Sequence, residues 1–410
     1  MGPGLRRDGG ISGKTWSVEL CDRATRGLHR PTDGPWRVIK VLVVFGTRPE
    51  AIKMAPVVQA LAASDAIRPI ICLTGQHREM LAGVLQFFGL SADHDLSIMK
   101  PAQALAYVTA AVLTGVQGVL AAEKPDWVLV HGDTTSALAA ALAAFYAGCR
   151  IGHVEAGLRT GDLRQPWPEE MNRSVIDRLA DGLFAPTASA QRNLLAENLA
   201  AERIVVTGNT VVDALLAVRG RLESDAALAR ATAAPFSFLE PAKRLILVTG
   251  HRRESFGRGF EEICAGLRRI AARPDVQIVY PVHLNPAVQA PVRRILGGLP
   301  NVHLLEPLDY VPFVYLMMRS DIILTDSGGV QEEAPSLGKP VLVMRNLTER
   351  PEAVAAGTVA LVGADRRRIH EAAAELLDSP SRYAQFSRAH NPYGDGRASL
   401  RIRDWLLGAS

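Results

Sequence analysis

Asp133, Glu155 and Glu169 are acidic residues placed where short apolar runs give way to loops or helix starts. His131-Gly132-Asp133 follows the run Trp127–Val130, and His153-Val154-Glu155 ends a second run. Glu169-Glu170 opens a helical segment soon after. In an open parallel sheet the loops beyond the carboxyl ends of the strands face the ligand crevice, so the first two acids stand where ligands bind. General acid/base work is the chemistry such carboxylates do best. The i, i+2 spacing of His131 with Asp133, and of His153 with Glu155, puts each pair on one face if the strand continues. That also admits a metal site of two histidines and two carboxylates. The plainer alternative is that these side chains only bond loop backbone.

A second group of residues suits an anion. Gly46-Thr47-Arg48-Pro49-Glu50 follows a β-branched run and leads into a helix, where free N–H groups and the helix dipole attract negative charge. Arg48 and Lys53 add cations there, although an ordinary turn with surface cations reads the same way. Ser327-Gly328-Gly329 lets backbone N–H groups approach a phosphate, with a helix behind it. Glu332 and Glu333 in its first turns either accept from ribose hydroxyls or merely complement the helix dipole. His251 stands at another strand end and by itself is only suggestive. Ser327 lacks a G-x-S-x-G elbow, and no strand leads into G-x-G-x-x-G with a downstream acid, so neither a hydrolase triad nor a nicotinamide cofactor is indicated.

The elements that must carry these residues alternate. Val38–Phe45, Pro69–Leu73, Trp127–Val130 and the run before His153 read as buried strands, with short strands near Leu183 and Ile204 and helices between them. After Thr207-Gly208-Asn209-Thr210 a helix and an Ala-rich stretch lead to a second series: Leu245–Val248, Val276–Tyr280, Ile322–Leu324 and Val341–Met344. The expected fold is α/β, with two Rossmann-like domains facing a cleft. The expected divisions are a disordered extension or misassigned start over 1–37, a first domain over 38–208, a second over 209–388, and a C-terminal helix within 389–410 crossing back to the first.

The 410 residues suit two domains of ordinary size. A net charge of +4 with scattered arginines shows no nucleic-acid or membrane patch. Cys21, Cys72, Cys149 and Cys264 are far apart and share no metal-ligand spacing, which suits a reducing cytoplasm. No apolar run is expected to approach the length of a membrane span, and the polar start lacks the apolar middle of a secretory signal.

Taken in order, FGTRPEAIKMAP (Phe45–Pro56), VHGDTTS (Val130–Ser136), GHVEAGLRTGD (Gly152–Asp162), PWPEEMNR (Pro166–Arg173), TGNTVVDAL, TGHRRES (Thr249–Ser255), YPVHLNP and LTDSGGVQEEAPSLGKPVLVMR (Leu324–Arg345) closely resemble the non-hydrolysing UDP-N-acetylglucosamine 2-epimerases of bacteria. The likeness runs from Val38 to the end of the chain. It implies the glycosyltransferase-B fold, a homodimer, and reversible conversion of UDP-GlcNAc to UDP-ManNAc without metal or nicotinamide. By the family pattern, Arg48, Lys53, His251 and Ser327-Gly328-Gly329 hold the diphosphate, Glu333 holds the ribose, and Phe313 and Arg350 make further nucleotide contacts. Asp133, Glu155, Glu169 and Arg173 line the sugar side, and His251 joins the three acids as a catalytic group. Gln76, Arg253, Glu254 and His283 stand in motifs associated with a second, activating UDP-GlcNAc.

The chemistry agrees with the resemblance. C2 of the sugar has no neighbouring carbonyl, so its proton is not acidic enough for simple removal and return. A transient 3-keto sugar needs a hydride acceptor the sequence does not advertise. Elimination of UDP, loss of the C2 proton and re-addition need a stabilised diphosphate and acid/base groups on both faces of C2. The rivals are a glycosyltransferase of the same fold, an epimerase that releases free ManNAc, and an idle sugar-nucleotide sensor.

Overall fold

The computed structural model describes residues 37–75, 78–98, 100, 103–388 and 390–409. The expected N-terminal extension therefore lies outside the described residues, apart from Arg37, as does Cys21.

Among the described residues, thirteen strands form two sheets. The first sheet holds β1 (Ile39–Phe45), β2 (Ile67–Leu73), β3 (His94–Asp95), β4 (Trp127–His131), β5 (Arg150–Val154), β6 (Gly182–Ala185) and β7 (Ile204–Val206). Its order is β3-β2-β1-β4-β5-β6-β7, and every pair is parallel. The second holds β8 (Arg244–Thr249), β9 (Val276–Pro281), β10 (Val302–Leu305), β11 (Ile322–Thr325), β12 (Val341–Val343) and β13 (Val359–Leu361), in the order β10-β9-β8-β11-β12-β13, again all parallel. Crossover helices cover both faces, so the central strands are apolar without alternation: Val41, Leu42 and Val43 are all fully buried.

The strand order reverses between β1 and β4 in the first sheet and between β8 and β11 in the second. At such a switch point the loops leave in opposite directions and open a crevice outside the carboxyl ends of the strands. The turns Gly46–Arg48 and His131–Asp133 line the first switch point. Gly250–Arg252 and Asp326–Gly329 line the second. The anion and acid/base motifs thus fall at the two places where the topology itself makes a cleft.

The last helix, Ala398–Ala409, packs on the first sheet. Asp213 caps it, accepting from the N–H groups of Ala398 and Ser399 at 3.2 and 2.7 Å, and Arg401 donates to the Thr207 carbonyl at 2.9 Å. The Trp405 ring lies edge-on to Trp127 and Phe184 at 5.5 and 5.3 Å. It fits only because residue 182 is glycine; a Cβ there would stand 2.7 Å from the indole.

One expectation from sequence is corrected. The helix Leu105–Glu123 has 19 residues and a mean hydropathy of 1.7, long and apolar enough to cross a membrane by length and composition. Thr109, Thr114, Gly115, Gln117 and Gly118 interrupt its apolar residues, so no continuous run stands out in the sequence. In the fold, Val108, Val112, Val116, Val119 and Leu120 face the core of the first sheet.

Candidate active site

The loop after β1 is built around one buried carboxylate. Thr47 caps the helix Arg48–Ala62 and Glu50 completes a capping box. Glu50 Oε2 accepts from the N–H groups of Gly46 and Thr47 at 2.9 and 2.7 Å and from the Thr47 hydroxyl at 2.9 Å. Its other oxygen takes the Thr134 hydroxyl at 2.6 Å, tying the β1 and β4 loops together. From the same helix, Arg48 reaches across the cleft to the Leu308 carbonyl at 2.9 Å.

The strand alternation expected past β4 and β5 does not continue. Gly132 turns at φ +66°, and Glu155 stands at φ +69°, a conformation few non-glycine residues adopt. These turns separate each histidine from the acid two residues on. His153 is fully buried, with Nδ1 2.6 Å from Asp177 and Nε2 2.7 Å from the Gly132 carbonyl. Both ring nitrogens are thereby used, and His153 supports the Asp133 turn from beneath instead of pairing with Glu155 as a ligand. His131 alone stays near the cleft, with Nε2 3.7 Å from Glu155.

Glu155 is the centre of a buried charge cluster shared by both halves. Lys53 pairs with its Oε2, and Asn209 Nδ2 donates to the same oxygen at 2.8 Å. From the second half, Glu332 lies 3.7 Å from Lys53, accepts from Asn209 at 3.2 Å, and pairs with Arg350. Burial alone would raise the Glu155 pKa, but Lys53, then His131, then Arg350 outweigh it and hold the carboxyl well below its ordinary range. Burial opposes charge on Lys53 too, yet Glu155 and Glu332 keep its pKa raised.

Asp133 is treated differently. Arg173 holds its carboxylate at 2.7 Å, and Asn172 donates to its backbone carbonyl at 2.8 Å. Burial still dominates, and with Glu155 and Glu169 nearby it raises the Asp133 pKa despite Arg173. Glu169 is half-buried and faces this group electrostatically. Its neighbour Glu170 is buried and occupied by the N–H groups of Thr160 and Gly161 at 2.9 and 3.0 Å. The adjacent acids therefore divide into one that shapes a loop and one free to face the cleft.

Across the cleft, Asp326 accepts with one oxygen from the N–H groups of His251 and Arg252, at 2.7 and 2.8 Å. This fixes the β8 turn against the Ser327-Gly328-Gly329 turn. A Cβ on Gly328 would stand 3.6 Å from the Arg350 guanidinium and 4.0 Å from that of Arg252, so two cations converge on the glycine turn. The His251 side chain is 40% exposed and its ring stacks on His283 at 5.5 Å. Burial, with Arg252 and His283 nearby, lowers the His251 pKa against the pull of Asp326. Glu333 accepts from buried Tyr310 at 2.7 Å, and burial raises its pKa to about 7. Phe313 is half-buried on the helix Tyr310–Arg319.

Of the residues placed at a second ligand, His283 lies beside His251, Arg253 is exposed, and Glu254 bonds Arg345 at 2.5 Å. Gln76 lies outside the described residues. Reading the sequence for chemistry missed Asn209, Arg252 and Asp326. Asn209 was visible only as a turn residue, Arg252 as one of two adjacent arginines, and Asp326 as the residue before Ser327; none advertises a partner until the sheets bring the turns together.

The family model for UDP-N-acetylglucosamine 2-epimerase matches residues 59–407. A probable UDP-N-acetylglucosamine 2-epimerase of Ralstonia nicotianae is 61% identical over 364 residues, 88% of this chain and 97% of that protein. The chain belongs to the UDP-N-acetylglucosamine 2-epimerase family. The Escherichia coli K12 enzyme of that name is 59% identical over 369 residues, 90% of this chain and 98% of its own length. The crystal structure of the Neisseria meningitidis UDP-GlcNAc 2-epimerase bound to UDP-GlcNAc superimposes with a TM-score of 0.85 at 50% identity, covering 90% of this chain and all of that one, 100%. The two facing parallel sheets of this epimerase are of the glycosyltransferase-B type.

Proposed function

We propose that this epimerase interconverts UDP-GlcNAc and UDP-ManNAc by eliminating UDP across C1 and C2 and adding it back. The observation that supports this best is the opposition of two unlike groups across one cleft: cations and a glycine turn on one side, carboxylates with divergent pKa values on the other. Arg252, Arg350, His251 and the Ser327-Gly328-Gly329 turn would stabilise the charge that develops on the departing diphosphate. Arg48 and Lys53 add to it from the first sheet. Glu333 and Phe313 suit the nucleoside, Glu333 by accepting from ribose.

The C2 proton leaves from one face and returns to the other, so two groups must exchange protons with carbon. Asp133, whose pKa burial raises, is the better suited of the two to hold and release a proton; Glu155, held ionised, is suited to accept one when Lys53 turns to the diphosphate. Glu169 completes the acidic side, and Arg173 orients Asp133. A closed cleft keeps the glycal intermediate and UDP together until re-addition.

The domain division after Gly208, the homodimer, a cytoplasmic location, and use of the product in bacterial surface polysaccharide belong to the same reading. So does a second UDP-GlcNAc near Arg253, Glu254 and His283. The test is proton NMR of the purified enzyme with UDP-GlcNAc in D2O. Growth of UDP-ManNAc carrying deuterium at C2 is expected. Product without deuterium would overturn the elimination route, and sugar transferred to an added acceptor would favour a glycosyltransferase.

A further inference from the structure

Asn209 lies where the chain leaves the first sheet for the second, and its side chain has little freedom. It is 3% exposed. Its Oδ1 accepts from the Val211 N–H at 3.0 Å and so caps the helix Thr210–Ser224. Turning the amide over would set its NH2 against that N–H, donor against donor, so the orientation is determined by the cap. Its own N–H donates to the Tyr393 carbonyl at 2.7 Å. The Nδ2 group is therefore aimed at Glu155 Oε2, 2.8 Å away, and at Glu332 Oε2, 3.2 Å away.

The donors around Glu155 share a feature: Lys53, Asn209 and, at longer range, His131 all lie on Oε2. Among the described residues none lies on Oε1. A carboxylate held by one oxygen presents the other in a defined direction. Glu155 also sits at φ +69°, a backbone conformation that persists only where the surrounding contacts hold it.

We propose that Asn209 is a positioning residue for the epimerisation, clamping Glu155 Oε2 so that Oε1 faces the C2 proton, and that it links this clamp to the second sheet through Glu332. The proposal rests on the acid/base reading of Glu155 given above. Lys53 is the mobile member of the clamp, because a diphosphate competes for it. Asn209 is neutral and tied into a helix cap, so it stays when Lys53 is drawn away. The charged groups facing Glu155 are Lys53, His131 and Asp133 from the first sheet, and Glu332 and Arg350 from the second. Among these Asn209 supplies the neutral donor.

The test uses Asn209→Ser and Asn209→Asp in the full chain, beside wild type. Serine and aspartate are both good helix caps, so the Thr210–Ser224 helix is retained, while each variant lacks the amide donor. In Asn209→Ser, turnover should fall about ten- to a hundredfold, as for a slightly misplaced reacting group. UDP affinity by calorimetry should change little. The acidic limb of the kcat profile should move up by about one pH unit, since a donor to the ionised carboxylate is gone. Asn209→Asp places an anion against two carboxylates and should lose more turnover and shift the limb further. An unmoved acidic limb overturns the proposal, whether turnover is normal or falls only with a lowered thermal midpoint. A loss confined to UDP affinity also overturns it. Failure of the elimination reading appears elsewhere, in wild type, as product without deuterium at C2.

Discussion

Thr134 donates its hydroxyl hydrogen to Glu50 across 2.6 Å, joining the turn after β4 to the helix that follows β1. Among the described residues four donors converge on the Glu50 carboxylate, and Glu50 is 3% exposed. Glu50→Ala should therefore destabilise the fold by about 2–4 kcal/mol, because buried N–H groups lose their acceptor. Thermal melts check this. A fully stable variant would mean that water replaces the carboxylate.

Asp133→Asn, Glu155→Gln and Glu169→Gln should each lower turnover by on the order of a hundredfold or more, the usual scale for a lost acid/base group. UDP affinity should stay within severalfold, since the cations around Gly328 are untouched. NMR turnover and calorimetry with UDP measure the two separately. Near-normal turnover in any one variant removes that residue from the proton transfers.

Arg252 and Arg350 approach the same glycine turn; Arg350 is held by the Glu332 carboxylate, while among the described residues Arg252 Nε is buried without a partner. Arg252→Ala should weaken UDP binding by about tenfold or more, as expected for loss of a charge-assisted contact to phosphate. Arg350→Ala should also release Glu332 and so lower stability as well as affinity. Equal thermal midpoints for the two variants would contradict this distinction.

Glu333 gives a pH-dependent prediction. Burial raises its pKa from 4.5 to about 7, with Glu332 adding to the shift and Tyr310 and Lys53 opposing it. Between those values the folded chain binds a proton that the unfolded chain lacks. This contribution to stability is fully present below about 4.5 and is lost as pH rises through about 7. Relative to wild type, Glu333→Gln should therefore gain stability between pH ~5 and pH ~8, by up to about 3 kcal/mol. Paired thermal melts across that range read the difference. A gain in the opposite direction would mean that Glu333 is ionised in the fold throughout.

Local pattern determined much of this protein. β-branched runs ending in Gly46-Thr47-Arg48, His131-Gly132-Asp133 and Thr325–Gly329 identified strands, their carboxyl ends and the loops that carry chemistry, because a parallel strand buried on both faces leaves a continuous apolar signature. The ordered motifs from Phe45 to Arg345 identified the family. Short strands such as β3 and β13 left no such signature; two or three residues make too short a run to distinguish from loop. What tertiary structure alone decided was pairing. His153 and Glu155 are two residues apart, yet one lies under the sheet with Asp177 and the other faces Lys53, since a left-handed backbone at Glu155 breaks the alternation. Glu169 and Glu170 are adjacent, yet helix geometry buries one against Thr160 and turns the other to the cleft. Asn209, Glu332 and Lys53 are far apart in the chain and meet because two switch points face each other. Residue types set which groups are able to ionise; which of them do so is set by the neighbours that folding brings within a few ångströms.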